Sequence, residues 1–479
     1  MSGLPLWTGI ELVTPLNARV SGPVPAAITG ISIDTRTLQP GDLFFAIRGE
    51  NNDGHSFVDA AFVRGAAAAV VDETHAELLK FAGTLYVVDD VLAAMERLGC
   101  AARRRMGGMV VAVTGSVGKT GTKEALKVVL SAFGKVHASA ASYNNHWGVP
   151  LTLARMPADA DSAVIEIGMN HAHEIAPLSA MVRPHVAVIT TIAPVHLENL
   201  GTEEAVADAK AEIFEGLEKG GVAIIPRDTP HFERLEHWAQ QSRAGGVLSF
   251  GESELADARM MSFEQGPDGS LVTADIIGQR VRYRVGAPGR HLALNSLAIL
   301  LAARAVGVDL LEAARELVHF VAPKGRGEQV TLHVGMGSAK LIDESYNANP
   351  VSMRAALTLL AEAPLPDILG RRIAMLGDML ELGPDEDALH AGLADVIGSL
   401  PIDRVHTVGP HMRHLHDALP AAKRGLHGAT SAEIMMDLID AVAPGDVIMV
   451  KGSNGSRMGP IVAALTERYA GQPVTHSEG

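Results

Sequence analysis

The sequence predicts an α/β protein with three domains, each built around a sheet of largely parallel strands. Short apolar runs rich in β-branched residues alternate with longer helix-forming runs along most of the chain. This alternation is typical of parallel sheets that are covered by helices. A length of 479 residues corresponds to about three domains as a prior. A basic segment rich in proline and glycine, 321–328, has the composition of an interdomain linker.

The predicted domains are residues 1–90, 91–321 and 322–479. In the first domain we predict strands at 29–33, 43–47, 67–71 and 85–88. The second begins with a helix over 91–105, and we interpret the three arginines at its end as a solvated helix end and linker. The third domain returns to alternating strands and helices, which predicts a doubly wound sheet.

The composition excludes several classes of protein. A formal net charge of −15 disfavours a nucleic-acid partner, because such a partner requires a basic protein face. The single cysteine, Cys100, excludes an intramolecular disulfide framework and fits the reducing cytoplasm. The N-terminal residues lack the features of a signal peptide, and the apolar stretches are too short for a membrane span. We therefore expect a soluble cytoplasmic protein that does not insert into a membrane.

A phosphate-binding loop is the motif around which we interpret the rest of the chain. An apolar run at 109–113 predicts a buried parallel strand, and a helix-forming run follows from 121 to 130. The residues at the junction are Gly115, Ser116, Val117, Gly118, Lys119, Thr120 and Gly121. Glycines allow successive N–H groups to point at an anion, and the helix N-terminus and Lys119 add positive charge. Thr120 offers a hydroxyl to a Mg²⁺ ion on the phosphates.

This loop departs from the common pattern at one position. Val113 stands where the pattern has glycine, so the loop is a variant. We predict nucleotide binding because a strand, the Gly-Lys-Thr triplet and a helix occur together. The alternative is a glycine-rich turn with a solvent-exposed lysine.

Glu166 and His196 follow two further predicted strands of the second domain. Glu166 ends the strand at 162–167, where a carboxylate faces the crevice in which open α/β sheets bind ligands. It could hold Mg²⁺ opposite Thr120, which we favour because the phosphate loop requires a counter-ligand, or it could cap a helix or loop. His196 follows the strand at 186–191, and a single histidine in such a place is structural when taken alone.

Lys210 lies among alanines on a helix predicted over 203–218. Small neighbours reduce the hydration of a lysine, and a poorly hydrated lysine is more often a neutral amine. Such an amine can add CO₂ and become a carbamate, which is an extra carboxylate for metal binding. The residues alone nevertheless favour an exposed helical lysine.

Further polar side chains lie at strand ends and loops where a substrate could bind. They are Asp34, Thr35, Arg36 and Arg48 in the first domain, Asn144 and Asn145 in the second, and Asp343, Tyr346, Asn347, Asn349, Lys451 and Ser453 in the third. Arg36 and Arg48 could bind a diphosphate, although the residues alone favour two surface arginines. The loop that carries Asn145 is either a ligand loop or a solvent loop.

Two positions near the end of the second domain complete the candidate set. Asn295 faces the same side of a helix as His291, four residues earlier. This pair could read a nucleotide base or serve only in packing. Arg326, in the linker, is placed to reach back toward the phosphates.

Taken together, these motifs resemble those of the Mur ligases of cell-wall synthesis, over essentially the whole chain. The family's pattern is matched by 114–120, 142–150, Glu166, His196, Lys210, Arg326 and 343–350. Motifs at 343–350, 376–383 and 451–453 are similar to the member that adds D-alanyl-D-alanine to UDP-N-acetylmuramoyl-tripeptide. The resemblance implies an N-terminal UDP-binding domain, a central ATP-binding domain and a C-terminal Rossmann-like domain.

The resemblance also implies an ATP-dependent amide ligase. The tripeptide carboxylate would become an acyl phosphate, and D-alanyl-D-alanine would displace phosphate to give UDP-N-acetylmuramoyl-pentapeptide, ADP and phosphate. Two Mg²⁺ ions are expected, one with Thr120 and Glu166 and the second with His196 and a carbamylated Lys210. The resemblance gives roles to five further residues. Asn295 and Asn347 match family positions that contact ATP, and Asn145 lies in the matching substrate loop. Arg326 and Asp343 match active-site positions near the transferred phosphate.

This chain differs from the family pattern at a few positions. Gly121 stands where the family usually has threonine, and we expect phosphate binding to survive this change. Leu292 and Ala293 differ from the usual Asn-containing run after His291. Because separate domains would bind the separate substrates, we expect the domains to close on ligand binding. We also expect a monomer.

Two alternatives compete with this interpretation. The first is a sister enzyme, either folylpolyglutamate synthase or the diaminopimelate-adding ligase, against which the run at 346–350 argues. The second is a nucleotide-dependent switch that binds partners and forms no amide bond. A switch has no need of a carbamate at Lys210, so this lysine discriminates between the two classes.

Overall fold

The computed structural model describes residues 5–49, 52–140, 142–266 and 268–470. Within these residues the strands form three sheets, of five, nine and six strands. This confirms the predicted three-part α/β architecture. The boundaries at residues 90 and 321 stay a prediction, and the predicted domain ends at 1–4 and 471–479 lie outside the described residues.

The first sheet is parallel except at one edge. Its elements are α1 (Gly9–Leu16), β1 (Arg19–Ser21), β2 (Gly30–Ser32), β3 (Asp42–Phe45), a 3₁₀ turn (Gly54–Phe57), α2 (Val58–Val63), β4 (Ala68–Asp72), α3 (Glu73–Leu79), β5 (Leu85–Val88) and α4 (Val91–Arg105). The strand order is β1-β5-β4-β3-β2, with β1 antiparallel to β5. One face of this sheet packs on α1 and α4, and the core there also takes in Leu151 and Ala154 of the next domain.

The end of α4 is not solvated as predicted, because Arg103 is buried. Its guanidinium donates hydrogen bonds from Nε to the Val182 carbonyl and from Nη2 to the Arg183 carbonyl, both at 2.8 Å. Arg105 lies over the ring of Trp7, with its Cζ 3.3 Å from the ring centroid. The arginine run therefore attaches α4 to its surroundings. The interpretation as a solvated helix end was wrong because arginine pairs well with backbone carbonyls when buried.

The second sheet combines a parallel core with an antiparallel meander. Its strands are β6 (Met109–Thr114), β7 (Val136–Ala138), β8 (Ser162–Glu166), β9 (Val186–Ile189), β10 (Val222–Pro226), β11 (Gly246–Gly251), β12 (Ala258–Gly266), β13 (Gly269–Ile276) and β14 (Gln279–Val285). The order is β14-β13-β12-β11-β10-β9-β6-β8-β7. Only the pairs β12–β13 and β13–β14 are antiparallel.

Helices cover both faces of this sheet. They are α5 (Lys119–Ser131), α6 (Gly148–Ala154), α7 (Ile175–Val182), α8 (Leu197–Leu200), α9 (Glu203–Ala211), α10 (Phe232–Gln241), α11 (Arg290–Ala305) and α12 (Leu310–Glu316), with 3₁₀ turns at Glu212–Gly216 and Leu317–His319. Val111 and Val113 of β6 point into the core that contains α5 and α11, whereas Val110 and Ala112 point into the opposite core. Burial on both faces explains why this strand is continuously apolar.

The third sheet resembles the second on a smaller scale. Its elements are β15 (Glu328–Val334), β16 (Gly337–Glu344), α13 (Pro350–Glu362), β17 (Arg372–Gly377), α14 (Glu386–Ala391), α15 (Leu393–Ser399), β18 (Arg404–Val408), α16 (Met412–Ala418), β19 (Arg424–Gly428), α17 (Ser431–Asp440), β20 (Val447–Lys451), a 3₁₀ turn (Asn454–Ser456) and α18 (Gly459–Arg468). The order is β15-β16-β20-β17-β18-β19, parallel except at β15. Across all the residues described, no helix has the length and apolar character that a bilayer span requires.

Candidate active site

A cleft of about 1760 Å³ opens between the three sheets, and all three domains line it. The predicted residues on its wall are Asp34, Thr35, Arg36, Arg48, Ser116, Val117, Gly118, Lys119, Gly121, Asn144, Asn145, Glu166, His196, Arg326, Tyr346, Asn347, Asn349 and Lys451. Those outside this lining are Gly115, Thr120, Lys210, Asn295, Asp343 and Ser453. Residues that are far apart in sequence thus meet at one cavity.

The loop after β6 has the backbone conformation that a phosphate cradle requires. Gly115 and Gly118 have φ angles of 146° and 88°, in the region that favours glycine. A Cβ atom on Gly118 would lie 2.5 Å from Nδ2 of Asn295, and one on Gly115 would lie 1.9 Å from Oγ1 of Thr190. The chain therefore needs glycine at both positions for conformation and for space.

The segment that follows β9 holds this loop in place. The Ser116 hydroxyl donates to the Ala193 carbonyl at 3.0 Å and accepts the Ala193 N–H at 2.9 Å. The Thr190 hydroxyl donates to the Val117 carbonyl at 2.6 Å. Sequence reasoning missed Thr190, although its position directly after a parallel strand beside β6 was an available signal. These bonds set the loop rigidly before any nucleotide arrives.

Lys119 begins α5 and turns back over the loop. Its Nζ donates to the Gly115 carbonyl at 2.7 Å. Burial lowers the pKa of Lys119, the nearby Glu166 carboxylate opposes this shift, and the Arg326 guanidinium adds to it. Two cations thus face the same region of the cleft with one carboxylate, which is an arrangement suited to a polyanion.

Four buried side-chain oxygen atoms in and around the loop have no hydrogen-bond partner among the described residues. They are Oγ1 of Thr114, Thr120 and Thr122 and Oε2 of Glu166, of which Thr120 and Glu166 are the two predicted metal ligands. The other carboxylate oxygen of Glu166 accepts a hydrogen bond from Nδ2 of Asn144 at 2.7 Å. An unpaired buried carboxylate oxygen is costly unless a cation satisfies it. Hydroxyl and carboxylate oxygens are the donors that Mg²⁺ prefers, so these residues fit a magnesium site.

Lys210 lies near the end of α9 and only 1% of its surface is exposed. The interpretation as an exposed helical lysine was therefore wrong, because the alanines around it allow the helix to pack closely. The predicted helix over 203–218 also ends earlier, and α9 gives way to a 3₁₀ turn at Glu212. Burial and then the Lys119 charge lower the pKa of Lys210 well below its ordinary value of 10.5. No hydrogen bond or ion pair links its side chain to another described residue.

His196 lies directly before α8, with φ 54° and ψ 31° in the left-handed region. Its Nδ1 is 2.8 Å from Oε2 of Glu381 in the third domain. Glu381 lies in the motif at 376–383, but its pairing with His196 was not predicted, because the two residues are 185 positions apart. The histidine lines the cleft on one side and contacts another domain on the other.

Arg326 and Asp343 are arranged around one turn of the third domain. The guanidinium of Arg326 stacks on Tyr346, with its Cζ 4.1 Å from the ring centroid, and donates to Oγ of Ser142 at 3.3 Å. Asp343 is buried, and its carboxylate accepts from the Gly325 N–H and from the N–H and hydroxyl of Ser345. Asp343 thus fixes the turn that carries Arg326.

The remaining predicted residues of the third domain form one hydrogen-bonded group. Lys451 is buried, and its Nζ donates to Oε2 of Glu344 at 3.1 Å and to the Asn347 carbonyl at 3.0 Å. Asn349 caps α13 by accepting the Ser352 N–H at 2.8 Å. The Ser453 hydroxyl donates to the Ala348 carbonyl at 3.3 Å, which places it behind the cleft wall.

At the opposite end of the cleft the predicted substrate residues are exposed. The Arg36 guanidinium pairs with Asp34 at 2.7 Å and holds the pKa of that carboxyl below its usual range. Arg48 pairs with Asp53 at 3.0 Å. Both arginines are surface residues, as the sequence favoured, yet both line the cleft. Asn145 is nearby and its side chain accepts the Gly148 N–H at 3.0 Å.

Three family models match consecutive parts of the chain. The model described as Mur ligase family, catalytic domain, matches residues 27–103. The Mur ligase middle domain matches residues 113–303. The model described as Mur ligase, glutamate ligase domain, matches residues 325–454. The three matches follow the order of the three sheets.

Known proteins are similar to the chain over nearly its whole length. The UDP-N-acetylmuramoyl-tripeptide–D-alanyl-D-alanine ligase of Bacillus subtilis (strain 168) is 34% identical over 450 residues, which are 92% of this chain and 93% of that protein. The Escherichia coli (strain K12) protein of the same name is 34% identical over 460 residues, 95% and 98% of the two chains. The crystal structure of MurF from Acinetobacter baumannii has a TM-score of 0.83 and 29% identity, and covers 97% of this chain and 100% of that one.

Proposed function

Because the chain belongs to the Mur ligase family, we propose that it joins D-alanyl-D-alanine to UDP-N-acetylmuramoyl-tripeptide at the expense of ATP. One observation carries this proposal. A single cleft is lined by the phosphate loop, by Glu166 with its unpaired carboxylate oxygen, and by the stacked Arg326 of another domain. The relatives that carry this name align with nearly the whole chain.

The triphosphate of ATP would lie on the loop before α5. The N–H groups at the start of α5 and the Lys119 ammonium supply positive charge there. Arg326 adds a second cation from the third domain, held in direction by Tyr346 and Ser142. Fixed cations of this kind stabilise the charge that develops on a transferred phosphoryl group, and they need no rearrangement during the reaction.

Mg²⁺ would be held by Thr120 and Glu166, and a second ion by His196 and a modified Lys210. When bound, such ions neutralise phosphate charge and orient the terminal phosphoryl group. The support for the first site is the pair of unpaired oxygen atoms. The support for the second is the imidazole on the cleft wall and the lowered pKa of the buried Lys210 amine.

We propose that Lys210 carries a carbamate. In its unprotonated form the amine attacks the carbon of CO₂. A C–N bond forms, one C=O π bond opens and leaves its electron pair on oxygen, and the nitrogen loses a proton to water. The product is a carboxylate on the lysine side chain. A protonated lysine has no lone pair for this step, so the lowered pKa of Lys210 favours the reaction.

The amide bond then forms in two steps. The tripeptide carboxylate oxygen attacks the γ-phosphorus of ATP, the bond to the β-phosphate oxygen breaks, and ADP leaves. The amine of D-alanyl-D-alanine attacks the carbonyl carbon of this acyl phosphate and gives up a proton, and phosphate leaves. The first step is needed because a free carboxylate is a poor electrophile. Lys119 and Arg326 face the phosphate in both steps.

The two ends of the cleft would bind the two organic substrates. The uridine diphosphate would lie near Asp34, Thr35, Arg36 and Arg48, where two exposed arginines are available to an anion. Asn144 and Asn145 would contact the tripeptide arm. D-Alanyl-D-alanine would bind by the group that contains Tyr346, Asn347, Asn349, Lys451 and Ser453. One chain supplies all of these residues, which fits a monomer working in the cytoplasm.

An ADP-release assay tests the proposal. UDP-N-acetylmuramoyl-tripeptide, ATP and Mg²⁺ are supplied with or without D-alanyl-D-alanine, and mass spectrometry identifies the product. We expect ADP release to depend on the dipeptide and to accompany formation of the pentapeptide. Parallel reactions contain the dipeptide precursor with diaminopimelate, or a folate with glutamate. Turnover in either of these reactions, without turnover on the tripeptide, would refute the proposal.

A further inference from the structure

The turn after β17 docks on the start of α8 and joins the third domain to the second. Glu381 on this turn and His196 before α8 form the hydrogen bond at 2.8 Å. Both are non-glycine residues with left-handed backbone, at φ 63° and 54°. Gly383, with φ 77°, lies against Glu198, since a Cβ atom there would be 3.7 Å from the Glu198 Cα.

The left-handed backbone conformations of His196 and Glu381 indicate that surrounding contacts hold both residues in place. Non-glycine residues adopt this region at a cost in conformational energy, and they keep it where surrounding contacts determine it. The turn also has a hydrogen bond within the third domain, in which the Leu380 N–H donates to Oγ of Ser453 at 3.0 Å. This bond stabilises the turn that places Glu381 beside His196.

The chemistry of the two side chains decides which imidazole nitrogen carries the proton. An ionised carboxylate only accepts hydrogen bonds, so the Nδ1 of His196 must be the donor. A neutral imidazole with its proton on Nδ1 has a lone pair on Nε2. His196 also lines the cleft, where that lone pair is available to a ligand.

We propose that Glu381 is a positioning residue that holds His196 in the Nδ1–H tautomer, so that His196 Nε2 is offered to a divalent cation when the third domain is docked. This inference rests on the proposed function, in which His196 binds a cation. Metal-binding histidines commonly donate their other ring N–H to a carboxylate, which fixes the ring and the tautomer. Here the carboxylate belongs to another domain.

The consequence is that cation binding and domain docking favour each other. Undocking removes Glu381 from His196 and releases the tautomer and the ring orientation. A cation that prefers the docked form must therefore stabilise docking by the same factor by which docking strengthens its binding. The second domain alone would hold the cation less well than the docked protein.

Nitrogen-15 NMR on the histidine-labelled full chain, without metal and at pH 8, tests the tautomer directly. The His196 signals are assigned by their loss in His196→Gln. We expect one pyrrole-like Nδ1 and one pyridine-like Nε2 in the wild type, and averaged shifts in Glu381→Ala. Glu381→Gln keeps an acceptor, so its shifts should lie between those two. Asp385→Asn, which alters an exposed acid four residues away, should match the wild type.

Titration of Mn²⁺ in the presence of ADP, followed by electron paramagnetic resonance, tests the coupling. Loss of a carboxylate that orients a metal-binding histidine typically weakens metal affinity by about 10–100-fold. We expect that loss in Glu381→Ala, a smaller loss in Glu381→Gln and none in Asp385→Asn. Thermal unfolding of each variant separates this effect from a failure to fold, and Glu381→Gln provides the test if the alanine variant does not fold.

Unchanged His196 shifts and unchanged Mn²⁺ affinity in folded Glu381→Ala or Glu381→Gln would overturn the inference. The proposed function would be overturned by a separate result, which leaves the positioning role intact. Wild-type protein that shows the expected tautomer and cation affinity, but no ADP release dependent on D-alanyl-D-alanine, would retain the positioning role without the ligase activity.

Discussion

Replacement of Lys210 by methionine should abolish activity. It should also make the protein more stable than wild-type protein whose Lys210 carries no carbamate. The two effects have one cause, which is the burial of an amine that no described residue pairs with. Methionine fills nearly the same volume with an unbranched apolar chain and carries no group that needs hydration. An ordinary buried residue would behave in the opposite way, since most substitutions of buried side chains destabilise a fold.

The magnitude follows from proton linkage. Burial lowers the folded-state pKa of Lys210 well below 10.5, whereas the unfolded chain has the ordinary value. Unfolding therefore takes up a proton between the lowered pKa and 10.5, and the free energy of unfolding of the unmodified protein rises with pH across this window. Each pH unit in the window is worth roughly 1 kcal/mol. Lys210→Met lacks this pH dependence.

The assay is calorimetry in CO₂-depleted buffer at pH 7 and at pH 9. One kcal/mol corresponds to about 2–4 °C in Tm for a domain of this size. We expect Lys210→Met to melt at least that much above the wild type at pH 7, with a smaller difference at pH 9. Lys219→Met, which replaces an exposed lysine, is the matched control and should leave Tm nearly unchanged.

Activity is measured on the same samples with and without added bicarbonate. We expect bicarbonate to raise wild-type turnover in CO₂-depleted buffer, because it restores the carbamate. Lys210→Met should lose roughly 100-fold or more in both buffers, as for loss of a metal-orienting group or worse. Wild-type turnover that ignores bicarbonate, or a methionine variant that turns over normally, would refute the carbamate. A methionine variant that melts below the wild type at pH 7 would refute the linkage argument.

Three further predictions concern separate parts of the chain. Glu166→Gln keeps an acceptor for Asn144 but loses the charge, so Tm should change by no more than about 2 °C, while kcat falls roughly 100-fold and the Mg²⁺ requirement rises in a steady-state titration. Gly118→Ala places a Cβ against Asn295 at a positive φ and should weaken ADP binding about tenfold by calorimetry, since the strained backbone alone costs about 1–2 kcal/mol. Gly398→Ala, in helix α15 away from the cleft and with open space for a Cβ, is its control. Arg103→Met removes the hydrogen-bond donor from the carbonyls of Val182, which is buried, and Arg183. It should lower the free energy of unfolding in urea by about 2 kcal/mol with an unchanged KM for ATP.

The phosphate loop could be predicted because its chemistry is local. Strand β6, the two glycines and the start of α5 are consecutive in the chain, so their pattern directly reports their geometry. The parallel sheets were predictable for a similar reason, because continuous apolar runs indicate burial on both faces. Strand β15 was not predicted, since as an antiparallel edge its half-exposed residues lack that signal.

The contacts between elements could not be predicted in the same way. Thr190 and Glu381 form hydrogen bonds with partners more than 70 positions away, and even the motif that contains Glu381 does not indicate which residue it contacts. Lys210 was misassigned from the residues alone because its helix shows little amphipathic contrast, and only packing decides that this face is buried. Arg103 was misassigned because a run of arginines has the same sequence signal whether it is solvated or bound to carbonyls.

The groups on each side of the cleft are held by bonds within their own domains, and among the described residues Arg326 to Ser142 and His196 to Glu381 link the second and third domains. Asp343 holds the Arg326 turn, Glu344 holds Lys451, and Thr190 holds the phosphate loop, each by hydrogen bonds that survive domain separation. If the domains close on ligand binding, as we predict from the sequence, closure has only to bring preformed groups together, which keeps its entropic cost low. Such closure would protect the proposed acyl phosphate, because this intermediate is hydrolysed whenever water reaches it. Side-chain contacts such as His196 to Glu381 can be broken without unfolding either domain, so the same contacts would also permit the predicted reopening for product release.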